Sequence, residues 1–353
     1  FDLSFIYLEK RYNYIIMDLK NKTILITGGT GSFGKAFSAE LLKKHKPKKI
    51  IIFSRDEQKH FLMEKKLLKY RKKLRFFIGD VRDLNRLEFA TKNVDMLIHA
   101  AAMKHVLIAE YNPFEVVKTN VMGAQNVIDA CLKNNVKKVI ALSTDKASSP
   151  VNIYGASKLT SDKLFIAANN YSGKNKNIFS VVRYGNVLGS KGSILPLFLK
   201  GAKKGLITIT DKKMTRFNIT LEESVLLVIK AINSMVGGEI FVPKIPSFKV
   251  TDLAKAISEK SKIQIIGIKP GEKLHEELIS INEAQNAIEY KKHYIITSNS
   301  ELFNWNKKNY IKKFGGKSCN LDFSYNSHNN KDQLSVTKLK KIVQTEISKL
   351  NLK

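Results

Sequence analysis

Tyr154 and Lys158 stand four residues apart in the run ALSTDKASSPVNIYGASKLTSDKLF, 141–165. On a helix that spacing puts them on one face. A phenol ordinarily ionises near pH ~10, but a neighbouring ammonium and a cationic nicotinamide both favour its anion. Such a pair can take a proton from a hydroxyl group. Ser143 and Thr144 precede it at the end of an apolar run. Upstream, in ITGGTGSFGKAF (26–37), Gly28, Gly31 and Gly34 recur every third residue between an apolar run and a helix-period segment. Side chains at those positions would collide with a pyrophosphate bound at the helix N-terminus. Thr30, Ser32 and Phe33 complete the loop. Together the two constellations point to hydride chemistry on a bound dinucleotide.

The end of the second apolar run sets the type of dinucleotide. An acidic residue there would hold the ribose 2′-hydroxyl of NAD. This chain has Ser54 and Arg55 instead, a hydroxyl beside a guanidinium, which suits the 2′-phosphate of NADP. Asp80 is placed to accept from the adenine amino group; its alternative is to cap the following helix. The small residues Ala100, Ala101 and Ala102 let the chain pass close to the cofactor, although packing alone also explains them. Lys59, Val81 and Asn120 complete the expected cofactor contacts.

These residues need a scaffold that collects strand ends on one edge. Apolar β-rich runs at 23–27, 49–53, 74–78, 95–99, 137–142 and 178–183 alternate with helix-period segments near 33–45, 56–71, 83–92, 113–134 and 152–172. That alternation predicts an α/β fold: a doubly wound parallel (Rossmann) sheet with a smaller C-terminal substrate-binding domain. The expected division is residues 17–185 for the dinucleotide domain, with a return segment near 219–240. Residues 186–218 and 241–353 then form the substrate-binding domain and tail. Residues 1–16 precede Met17 and are expected to be an extension outside the fold.

The motifs TGGTGSFGKAF, SRDE, GDVRD, HAAAMKHV, STDKASSPVNIYGASK, RYGNVLGSKGS and PGEKLHE together resemble the inverting UDP-N-acetylglucosamine 4,6-dehydratases, within the extended short-chain dehydrogenase/reductase family. The resemblance runs from Met17 over nearly the whole chain. It implies NADP as cofactor, UDP-N-acetylglucosamine as substrate, and loss of water across C-4/C-6 with inversion at C-5. The product would be UDP-2-acetamido-2,6-dideoxy-beta-L-arabino-hex-4-ulose, the first intermediate of pseudaminic acid. It also implies a homo-oligomer, with a hexamer as one form; a cytoplasmic location is expected separately, because two cysteines suit a reducing compartment.

Under this resemblance the pair Asp145-Lys146 is decisive, because retaining dehydratases carry Asp-Glu there. Asp145 would protonate the departing O-6, and Lys146 would remove the C-5 hydrogen. Burial is expected to keep Asp145 protonated and Lys146 neutral. Tyr154 would take the O-4 proton, with Thr144 hydrogen-bonding near O-4 and Lys158 tuning Tyr154. On the substrate side, Lys104 can reach cofactor or hexose, and Asn186, Val187 and Lys191 contact sugar or diphosphate. Met214, Arg216 and Glu272 belong to later substrate loops. Lys269 stands where the family usually has Arg before Pro-Gly-Glu-Lys, which removes a bidentate clamp. A retaining dehydratase, a C-5 epimerase and a non-catalytic dinucleotide sensor remain as alternatives.

The formal charge of +30 rests on 53 lysines and only 8 arginines spread along the chain. Nucleic-acid readers lean on Arg for bidentate contacts, so no nucleic-acid partner is expected. The longest apolar runs fall short of a membrane span, and the start mixes charges into its apolar residues, unlike a signal peptide. Two cysteines, Cys131 and Cys319, supply neither a disulfide framework nor a zinc site. No metal is expected.

Overall fold

The computed structural model describes residues 19–173, 176–189, 193–298 and 306–351. The expected extension 1–16 lies outside the described residues. Six parallel strands carry the fold: β1 (Thr23–Thr27), β2 (Lys49–Ser54), β3 (Leu74–Ile78), β4 (Met96–His99), β5 (Lys138–Thr144) and β6 (Ile178–Tyr184). Their order across the sheet is β3-β2-β1-β4-β5-β6. The chain therefore winds outward from β1 in both directions, and a crevice opens between the C-terminal ends of β1 and β4. Ile24, Ile26, Ile50, Ile52, Leu97, Val139 and Val181 are all fully buried, because helices cover both faces. The α/β doubly wound expectation is met.

Past β6 the sheet continues. The helix Leu221–Ser234 returns to pack on the helix Ser32–Glu40. A capping box starts it: Thr220 accepts from Glu223 N at 3.1 Å and Glu223 accepts from Thr220 N at 2.8 Å. The strand Ile240–Pro243 then joins β6 in parallel. Three antiparallel strands follow outward, His293–Ile296, Ala287–Glu289 and Lys317–Ser318.

A second, smaller core sits over the C-terminal edge. Leu195, Phe198, Ile207, Met214, Phe248 and Leu253 pack there with Leu339 and Val343 of the C-terminal helix Val336–Asn351. Two links tie the tail to the loops near the crevice. The strand Tyr325–Asn326 pairs with Glu277–Ile279, and the Tyr325 hydroxyl bonds both the N–H and the carbonyl of Ile245, at 2.9 and 2.8 Å. Among the described residues no helix is long and apolar enough to cross a membrane.

Candidate active site

The glycine loop is shaped first by the chain's own backbone. Gly28 has φ +64°, and a Cβ there would lie 2.9 Å from both Ala100 O and Ala101 N. A Cβ on Gly34 would meet Gly29 O at 2.3 Å. The sequence reasoning assigned these glycines to approach by a ligand; at all three a Cβ would press on neighbouring backbone, least at Gly31, where Gly28 O would lie 3.1 Å away. Gly31 is the N-cap of the helix Ser32–Glu40, and no side chain caps that terminus. Thr30, Gly31, Ser32, Phe33 and Gly34 line a single cleft of about 2130 Å³. An uncapped helix N-terminus opening into a cleft is a fit for a diphosphate.

At the end of β2, Ser54 Oγ hydrogen-bonds Thr30 Oγ1 at 2.8 Å, which ties the strand to the glycine loop. Arg55 is exposed and reaches Asp80 Oδ2 at 3.4 Å. Arg82 donates to the same oxygen from Nη2 at 2.7 Å, and its backbone N–H donates to Oδ1 at 3.0 Å. Burial pulls the Asp80 carboxyl upward, but the Arg82 hydrogen bonds and the Arg55 charge outweigh it and hold it below its ordinary value. Capping is not its task, since Asp83 caps the helix Leu84–Ala90 by accepting from Arg86 N at 2.9 Å. Lys59 pairs with Asp56, the N-cap of the helix Glu57–Lys66. Val81 and Ala100 to Ala102 line the cleft as well.

Tyr154 and Lys158 lie buried one turn apart on the helix Ile153–Ala167, which Asn152 caps by accepting from Gly155 N at 2.7 Å. Burial pushes the Tyr154 phenol up to about 12, against the charge of Lys146 and a hydrogen bond with Thr144. Lys158 is lowered by burial, with Asp162 pulling the other way. Cleft residues and supporting residues meet here. Asp162 accepts from Ser143 Oγ at 2.7 Å. His99 is buried beside Lys158 and its imidazole is pushed down to about 3, first by burial and then by that charge. It is neutral at any physiological pH.

The strand β5 ends in a tight turn, Asp145–Ala147, which turns two adjacent side chains toward each other. Asp145 is completely buried. Its Oδ1 accepts from Thr144 Oγ1 at 2.9 Å and from Lys146 Nζ at 3.1 Å. Its Oδ2 accepts no hydrogen bond among the described residues, and burial drives its carboxyl upward despite Lys146. Burial thus moves Asp145 toward the acid form, while the Lys146 ammonium and the Thr144 hydroxyl pull the other way. Lys146 is a correction. Burial lowers its basicity, yet Asp145 and Glu276 together outweigh burial and raise it above the ordinary lysine value. Glu276 Oε1 lies 3.1 Å from Nζ and Asn186 Oδ1 lies 3.4 Å away. The resting side chain is an ammonium ion rather than the neutral amine that burial alone would give.

The substrate side closes the cleft from above. Asn186-Val187 form a short strand parallel to Asn218-Ile219. Arg216 is nearly buried; Nη1 donates to Thr215 O at 2.7 Å, and Nε stands 3.6 Å from Glu276. Thr210 Oγ1 donates to the Met214 sulfur at 3.1 Å. Lys269 and Lys104 are exposed at the rim. Glu272 Oε2 accepts from the Lys269 N–H at 3.3 Å.

Among the described residues, the expected site positions share this one cleft, with two exceptions. Asp145 sits behind the wall, and Asn120 is spent on structure. Asn120 Oδ1 accepts from Met103 N at 2.8 Å, and its amide donates to Met103 O and to Ser157 Oγ, both at 3.0 Å. Lys191 lies outside the described residues. Sequence reasoning missed Glu276 and Lys273, although both lie in the quoted run PGEKLHE; a glutamate one residue past a histidine has no spacing that marks it. It also missed Arg183, whose signal was a cation inside the apolar strand IFSVVRY.

A protein from Campylobacter jejuni named UDP-N-acetylglucosamine 4,6-dehydratase (inverting) is 52% identical over 326 residues, 91% of this chain and 97% of the relative. The resemblance read from the motifs is therefore borne out. A Rickettsia akari protein named UDP-glucose 4-epimerase is 42% identical over 335 residues, 92% of this chain and 96% of the relative. The X-ray structure of Pen from Bacillus thuringiensis superposes with a TM-score of 0.84 at 38% identity, covering 93% of this chain and all of that one. The family model described as polysaccharide biosynthesis protein matches residues 24–298, and the chain belongs to that family.

Proposed function

We propose that this protein is an NADP-dependent UDP-N-acetylglucosamine 4,6-dehydratase that inverts C-5 and so opens a pseudaminic-acid-type sugar route. The observation that carries the reading is the acid–ammonium pair Asp145–Lys146, 3.1 Å apart: Lys146 lines the same cleft as Tyr154, Lys158 and the uncapped helix N-terminus, and Asp145 lies buried directly behind it. The relatives' names support it. The dinucleotide would be held by the glycine loop, Ser54 and Arg55, and when bound it supplies acceptance of the C-4 hydride and its return at C-6. The chain's own residues move the protons. Tyr154 takes the O-4 proton, with Lys158 favouring its anion and Thr144 fixing its hydroxyl. Asp145, kept protonated by burial, gives its proton to O-6 as that oxygen leaves. Lys146 removes the C-5 hydrogen. Arg216, Asn186 and Lys269 are assigned to the sugar and diphosphate. The protein would act in the cytoplasm as a homo-oligomer.

Mass spectrometry of purified protein given UDP-N-acetylglucosamine and no added reductant tests this. A product lighter by one water is expected. An isomer of unchanged mass would instead support the 4-epimerase activity for which the Rickettsia relatives are named.

The choice of NADP rests on Arg55. Replacing it (Arg55→Ala) should weaken NADP binding by roughly 1.5–3 kcal/mol, the cost of a charged hydrogen bond, with a much smaller loss for NAD. Calorimetric titration with both dinucleotides checks this; equal losses would show that Arg55 does not read the 2′-phosphate.

A further inference from the structure

Glu276 has no task in that chemistry, yet the fold fixes it closely. Its side chain is 2% exposed. Its N–H donates to Ser327 Oγ at 2.9 Å, and the Ser327 N–H donates to its carbonyl at 2.8 Å. Ser327 Oγ is in turn bonded to Thr215 Oγ1 at 2.7 Å. A residue of the C-terminal tail thus clamps the backbone that carries this carboxylate over Lys146. Oε1 stands 3.1 Å from Lys146 Nζ, while Oε2 accepts no hydrogen bond among the described residues. Leaving a buried carboxylate oxygen unsatisfied costs stability. An ammonium held between the Glu276 carboxylate and the Asp145 carboxyl also cannot act as a base until a proton leaves it.

We infer that Glu276 is the proton partner of Lys146: it holds that side chain as an ammonium before the sugar binds and takes one proton from it once the sugar is seated. The inference rests on the dehydratase reading and deepens it. In the first step one N–H bond of the ammonium breaks and an O–H bond forms on Glu276, so an ion pair becomes an amine and a carboxylic acid. Net charge is unchanged. Exclusion of water by the sugar favours the neutral pair, because burial penalises both charged forms.

The freed lone pair then forms an N–H bond as C-5–H breaks. The electron pair left at C-5 becomes the C-5–C-6 double bond, and O-6 leaves with the Asp145 proton as water. Lys146 next passes a proton across 3.1 Å to Asp145, and Glu276 returns its own to Lys146. All three groups end as they began. The proton that C-5 later receives matches in number the one Tyr154 took from O-4.

The charged and titratable groups facing this pair come from four segments. Asp145 lies on the β5 turn, Tyr154 on the helix Ile153–Ala167, Arg216 on the strand Thr215–Ile219, and Lys273 on the loop before Glu276. Burial pulls Glu276 upward, while Lys146, Arg216 and Lys273 hold it below its ordinary value. At rest it is a carboxylate ready to accept.

Turnover of UDP-N-acetylglucosamine by the unmodified protein, Glu276→Gln and Glu276→Asp, from about pH 6 to 10, tests the inference, with KM and thermal unfolding read alongside. For Glu276→Gln, kcat should fall on the order of 10² with KM within about threefold. Its kcat should also climb with pH, because Lys146 must then lose its proton to solvent and loss of one carboxylate lowers its basicity. The unmodified protein should be flat over that range. Glu276→Asp should stay flat and lose only about tenfold.

A kcat for Glu276→Gln within about threefold of the unmodified value, or a reduced kcat with no climb, overturns the inference. Should Glu276→Gln fail to fold, Glu276→Asp decides: a flat, reduced profile supports the proton partner, and a climbing or unreduced one overturns it. If the unmodified protein does not dehydrate the sugar nucleotide, the function reading itself falls and takes the inference with it.

Discussion

Lys146→Ala is expected to lower turnover by on the order of 10² or more while dinucleotide and UDP-sugar binding persist. The reason is positional. Lys146 Nζ lies among Asp145 Oδ1, Glu276 Oε1 and Asn186 Oδ1 at 3.1, 3.1 and 3.4 Å. In the proposed chemistry it moves protons, and other residues are assigned to the diphosphate. Its removal also takes a counter-charge from the buried Glu276 carboxylate, so thermal stability should drop. Ligand titrations followed by single-turnover assays separate these effects. Lys146→Glu, which restores the Asp-Glu pair of retaining enzymes, puts a third carboxyl into the cluster and should be nearly inactive. Loss of binding in parallel with turnover would show that Lys146 is a clamp.

Arg183→Leu should destabilise the fold by about 3–5 kcal/mol, the cost of stranding buried carboxylates. Arg183 is completely buried on β6. Nη1 donates to both Glu283 oxygens at 2.9 Å and to Leu278 O at 3.1 Å, and Nη2 lies 3.5 Å from Asp162 Oδ2. The guanidinium joins β6 to the helix that carries Tyr154 and Lys158. A pH signature accompanies the loss. Burial raises Glu283, but Arg183 and the hydrogen bonds of Ser280 hold it below its ordinary value. A depressed carboxylate stabilises above its unfolded value and loses that stabilisation as pH falls through the folded one. The gap between variant and unmodified protein should therefore narrow as pH drops through the carboxylate range. Urea unfolding at several pH values measures it; a loss below about 1 kcal/mol would mean that the triad contributes little.

The parts of the molecule legible in sequence were those with a local signature. β1 to β6 stood out because strands buried on both faces read as continuous apolar runs, and the glycine loop because its spacing is unusual between a strand and a helix. Tyr154 and Lys158 were legible through helical period. What escaped is long-range. Glu276 meets Lys146 across more than a hundred residues, and only the fold, with Ser327 of the tail beneath it, brings the carboxylate over the ammonium. That contact reversed the expected charge state of Lys146, since burial can be guessed from sequence but a distant counter-charge cannot. The outer strands beyond Ile240–Pro243 escaped for the same reason. They are two to four residues long and pair antiparallel, too short to show a period.

In the proposed reaction, removal and return of the C-5 proton occur on opposite faces of the sugar, with Lys146 doing the removing. Reaction of UDP-N-acetylglucosamine in heavy water, followed by NMR of the product, tests it most directly. The expected product is the L-arabino 4-keto sugar with one deuterium at C-5. A substrate deuterated at C-4 should deliver that label to C-6. A dehydrated product that keeps the original C-5 configuration would contradict the inverting assignment and make the protein a retaining dehydratase.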